Sequence, residues 1–114
     1  MDSPNTFFHK LVNLESRSFS IKIQKFENGF FISVSEGSNK LGSIVASLGT
    51  GPNPITTTII PEKTNSLFLK LVAERLSTKY RGIVMISTFF KNELDQATAK
   101  NLMSEIIDLI EDDN

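Results

Sequence analysis

Few residues in this chain could do chemistry. The 114 residues include no cysteine and a single histidine, His9, so a thiolate zinc site, a disulfide framework, a thiol nucleophile and an imidazole pair are all excluded. His9 stands in Phe7-Phe8-His9-Lys10-Leu11 with no evident nucleophile beside it, which fits a solvent-facing or structural side chain. The loop Gly49-Thr50-Gly51 could bare backbone N–H groups to a phosphate. It lacks the Lys-Ser/Thr pair of a P-loop, however, and no helix follows directly, so it reads as a plain turn. Serines are plentiful, but none sits in a Gly-x-Ser-x-Gly elbow. Carboxylates gather only at Glu93 and Asp95 and between Asp108 and Asp113, where capping and solvation account for them. The inventory points away from an enzyme, and no cofactor or metal is expected.

What remains is surface, and the elements that would position it can be read in turn. Phe19-Ser20-Ile21-Lys22-Ile23-Gln24 alternates with the period of a half-buried strand. Asn28-Gly29 then signals a two-residue type I′ hairpin turn, and Phe30 to Ser35 is the returning strand. In that register Phe26 faces Phe31 and Ile23 faces Val34. One face collects Ile21, Ile23, Phe30, Ile32 and Val34; the other collects Lys22, Gln24, Ser33 and Ser35 together with the pair Phe26 and Phe31. Nine phenylalanines in a chain of this length leave limited interior for all of them. Two readings of the aromatic pair follow: the protein's own helices cover it, or it is a partner interface rimmed by Gln24 and Ser33.

Gly37-Ser38-Asn39 reads as a second turn and Leu41 to Leu48 as a third strand of a meander. Ile55-Thr56-Thr57-Thr58-Ile59-Ile60 is a fourth strand, whose threonines suggest an edge or a solvent face and make Thr56 and Thr58 a second interface candidate. Phe68, Leu71, Val72 and Leu76 recur at helical spacing, with Thr64, Asn65 or Ser66 as cap and Gly82 as stop, giving a helix over 66–80. The unbroken run Ile83-Val84-Met85-Ile86 suits a central strand buried on both faces. Ala99, Leu102, Met103, Ile106, Leu109 and Ile110 mark a second helix, capped by Asn92 or Asp95, whose last turn is acidic and expected to fray.

Strands followed by helices indicate an α+β fold with a mainly antiparallel sheet and two packed helices. The chain is short enough for one domain, 1–114, with 1–15 expected to be a partly flexible N-terminal segment. Thirteen acids against twelve bases provide no cationic field for nucleic acid or an anionic membrane. No apolar stretch approaches the roughly 18 residues of a membrane span, and the first residues lack the pattern of a secretory signal. A cytoplasmic or nuclear location is expected.

The order of elements, the aromatic-rich hairpin, Asn39-Lys40-Leu41-Gly42-Ser43-Ile44-Val45-Ala46-Ser47, Pro54-Ile55-Thr56-Thr57-Thr58-Ile59-Ile60 and the helix, apolar strand and closing helix resemble the proteasome assembly chaperone 3 and 4 family over about residues 19–110. The Lys-Leu-Gly-Ser-Ile-Val run and the Pro-x-Thr-Thr strand look most like chaperone 3. The resemblance implies a small non-enzymatic protein that dimerises with a related chaperone through the β-sheets, as a β-sandwich-like dimer, or with itself when alone. It further implies binding to proteasome α subunits while the α-ring of the core particle is built, and departure before the particle matures. The hydrophobic-Tyr-x ending of other proteasome chaperones is replaced here by Asp112-Asp113-Asn114, so contact with the ring is expected through a folded surface. A generic dimeric scaffold or adaptor of roadblock- or longin-like type is the alternative.

Overall fold

A computed structural model describes residues 6–61 and 67–111. The elements run β1 Phe7–Leu14, β2 Arg17–Phe26, β3 Gly29–Glu36, β4 Ser43–Leu48, β5 Ile55–Ile60, α1 Leu67–Tyr80, β6 Ile83–Phe89 and α2 Gln96–Glu111. The six strands form a single sheet in the order β1-β2-β3-β6-β4-β5. Every pairing is antiparallel except β3 with β6. The mainly antiparallel α+β fold is thus as the sequence indicates. Helix α1 crosses β4 and β6, and α2 lies toward β1.

The core lies between the sheet and the helices. Alternation along β2 and β3 sends Phe19, Ile21, Ile23, Phe30, Ile32 and Val34 inward, joined by Val45 of β4 and by Val84 and Ile86 of β6. Leu69, Val72 and Leu76 of α1 and Leu102, Ile106 and Ile110 of α2 meet them at helical spacing. Asp95 caps α2: its Oδ1 accepts the Thr98 N–H at 2.7 Å. The expected caps of α1, Thr64, Asn65 and Ser66, lie outside the described residues, as do the last residues of the acidic tail.

Four expectations change. First, residues 7–14 form a full edge strand, each paired with β2. Lys10 occupies an inward position of β1 and reaches Glu105 of α2 at 2.5 Å, which disguises the alternation of Phe8, Val12 and Leu14. Second, β4 does not follow β3 in a meander, because β6 is inserted between them. Third, the hairpin turn is Glu27-Asn28, with Phe26 opposite Gly29 and Gln24 opposite Phe31. Neither turn residue takes positive φ, so this is not the expected type I′ turn. The glycine of Asn-Gly is needed for a different reason: a Cβ at Gly29 would stand 2.0 Å from the Ile83 carbonyl oxygen, where β6 enters beside β3. Fourth, α1 ends with Arg81, not Gly82, in the left-handed region, at φ 54°. The Gly82 N–H then closes on the Ser77 carbonyl at 3.1 Å, as in a Schellman cap. A Cβ on Gly82 would meet the Asn28 carbonyl oxygen at 2.5 Å.

Candidate interaction surface

Both helices lie on one side of the sheet, so no helix covers the other; the connection between β3 and β4 crosses one end of it, where the Gly42 N–H donates to the Ser87 hydroxyl at 3.1 Å and Ser35 and Ser87 are buried. The outward positions of six strands carry Phe7 and Leu11 of β1, Phe26 of β2, Leu48 of β4, Ile55 of β5 and Ile83 of β6, all exposed, with Leu11 at 69% and Ile55 at 66%. Phe31, Ala46 and Met85 lie between them, half-buried. At about 4.8 Å between strands the face is about 24 Å wide. The apolar run of β6 is therefore central, as expected, but not buried on both faces. Val84 and Ile86 enter the core, whereas Ile83 and Met85 look outward.

Phe26 and Phe31 share this face as diagonal neighbours. The register differs from the expected one by two residues, and a shift of two preserves the face of every side chain. Gly29 leaves a gap between the rings, an apolar hollow of about 240 Å³ walled by Phe26, Phe31, Ile83 and Met85. Gln24 and Ser33 stand on the same face. His9, also here, lies 2.9 Å from the Ser20 hydroxyl.

Thr56 and Thr58 do not join them. Thr56 pairs with Ser47 and Thr58 with the core residue Val45, which places both on the helix side. The Thr56 hydroxyl donates to Glu74 of α1 at 2.6 Å and lies 3.1 Å from the Ser47 hydroxyl, which in turn meets Ser77 at 2.9 Å. The threonine-rich strand is thus an edge, as its composition suggests, but Thr56 is spent on docking β5 to α1. Thr57 faces outward, opposite Ala46.

Sequence reading also missed an ion pair that pins one end of the sheet. Glu36, 6% exposed, accepts from Arg17 Nε at 3.0 Å and Nη2 at 2.7 Å, and from the Lys91 N–H at 2.9 Å. Arg17 also donates to the carbonyls of Asn92 and Glu93 at 2.8 and 3.2 Å, so β2, β3 and the β6–α2 loop are tied at one point. The Arg17 hydrogen bonds hold the Glu36 carboxyl below its ordinary pKa, with the Lys91 N–H adding to them and burial opposing. Only long-range pairing brings residues 17, 36 and 91 together, and no spacing signals it. That loop borders a groove of about 1050 Å³ between α1, α2 and the end of β5, floored by Phe68, Leu71, Phe90 and Met103. Among the described residues no group of three or more acids or histidines could hold a metal, and no helix is long and apolar enough to cross a membrane.

The fold defines a mixed α+β protein in which one six-stranded sheet carries two helices on a single face. Residues 18–88 match the family model of proteasome assembly chaperone 4. The chain also superposes on one chain of a crystal structure of a novel chaperone complex for yeast 20S proteasome assembly. There the TM-score is 0.71 at 11% identity, over 93% of this chain and 96% of that one, a likeness of fold. No curated protein sequence matches. The chain belongs to the proteasome assembly chaperone 4 family. Its role is that of a chaperone in proteasome assembly, and it is not an enzyme. The match establishes the family level; it does not choose between chaperone 3, to which the sequence reading leans, and chaperone 4.

Proposed function

We propose that this chain is one half of a two-subunit assembly chaperone. It pairs its bare sheet face with the sheet of a related chaperone, giving a β-sandwich-like dimer, and the dimer binds proteasome α subunits while the α-ring forms, in the cytoplasm or nucleus. The observation that carries the reading is β6: a central strand without alternation, whose Ile83 and Met85 have no cover from the described chain. A strand apolar on both sides is what two apposed layers require. The resemblance in fold to a chain from a chaperone complex supports the same reading. The test is Met85→Asp, which places a charge at the centre of the face. Sedimentation velocity should show dimers for the wild type, with itself or with the related subunit, and monomers for the variant, whose melting temperature stays within a few degrees. Proteasome α subunits should co-purify with the wild-type complex. Dimers that survive Met85→Asp overturn the sheet-face pairing, and absence of α subunits from the purified complex would favour a generic adaptor.

A further inference from the structure

The charge on the bare face is one-sided. Lys22 stands in the middle of β2, paired with His9 and Ser33 on outward positions. It is half-buried and has no carboxylate partner among the described residues. No outward position of the six strands in the described residues holds Asp or Glu. Along the hairpin, Glu36 of β3 is opposite the core residue Phe19, on the other side of the sheet, and is held by Arg17; Glu15 and Glu27 sit in turns at the two ends, at least about 16 Å away at roughly 3.3 Å per residue. A second cation, Lys40, lies over the Phe89 ring at 5.1 Å near the end of β6. A second copy of this chain would therefore offer Lys22 apolar and hydroxyl side chains, and no strand carboxylate. Closing such a face desolvates the ammonium without a counter-charge, which opposes association.

We infer that Lys22 is the residue that biases this face against a second copy of the chain and toward a sheet that presents a carboxylate opposite it. The inference rests on the sheet-face dimer and names what selects its partner. The apolar side chains around Phe31 and Met85 supply attraction that any similar sheet could use; Lys22 supplies the discrimination. Being on an outward position, it can be exchanged without disturbing the core.

Lys22→Met keeps the length of the side chain and removes the charge. Sedimentation equilibrium of the chain alone should show self-association strengthened about tenfold or more, and titration with the related assembly chaperone subunit should show that heterodimer weakened by a similar factor. Met85→Asp, run in parallel, should abolish both. Lys22→Met with both affinities unchanged, or with self-association weakened, overturns the role of Lys22 while the sheet-face dimer stands, provided Met85→Asp still breaks it. If Met85→Asp leaves both complexes intact, the sheet-face dimer itself is wrong.

Discussion

The substitution Glu36→Gln tests the lock between β2, β3 and the β6–α2 loop. The native carboxylate accepts three N–H groups, two from Arg17 and one from Lys91. The amide of the variant would keep one oxygen for this set and turn an NH₂ group against a remaining donor. Breaking one side of a buried ion pair costs about 3–5 kcal/mol. Arg17 retains the carbonyls of Asn92 and Glu93, and its side chain is 19% exposed, so solvent and backbone recover part of that loss. The expected cost is about 2–3 kcal/mol at pH 7, which for a domain of this size lowers the melting temperature by roughly 8–12 °C. The dependence on pH is a second handle. Because the folded Glu36 carboxyl titrates below its ordinary value, its contribution is complete above the unfolded value of about 4.3. It is lost as pH falls from there through the lowered folded value. The gap between wild type and variant should therefore narrow in acid. Urea unfolding followed by circular dichroism at pH 7 and pH 3 reads both. A gap below about 1 kcal/mol at pH 7, or one undiminished at pH 3, would refute the reasoning.

Three further outcomes follow from the same geometry. Gly29→Ala drives a Cβ to 2.0 Å from the Ile83 carbonyl oxygen and should cost about 3 kcal/mol in urea unfolding, the upper end for overpacking; a loss under about 1 kcal/mol would show that β6 can move away freely. Thr56→Val removes the bonds to Glu74 and Ser47 and should cost about 1.5 kcal/mol of stability while leaving dimer affinity unchanged; a loss of affinity would return Thr56 to the interface. Phe31→Ser should leave most of the stability of the lone chain intact and weaken partner binding by about 2 kcal/mol or more. A collapsed melting temperature with unchanged affinity would mean that the chain covers this ring itself.

Period alone determined which sides of β2 and β3 face the core and which stripe of α2 is buried. Ile21, Ile23, Ile32 and Val34, and Leu102, Ile106 and Ile110, are all buried as their spacing indicates, because alternation and the helical repeat are local properties of the chain. They survive even a wrong hairpin register, since the two-residue shift at Glu27-Asn28 moves no side chain to the other face. Spacing likewise placed Phe26, Phe31, Gln24 and Ser33 on one face. What covers that face was not legible, because burial of a second sheet side depends on where the helices pack. Here both take the same side. Neighbourhood in the sheet is equally non-local: β6 enters between β3 and β4 after a helical crossover, and that insertion alone explains why Gly29 must be a glycine. Thr56 reads as a surface residue until α1 brings Glu74 to it, and nothing local marks Glu36 until Arg17 and Lys91 close around it. In each case the partner is at least 18 residues away in sequence, a distance across which only the packed structure assigns contacts.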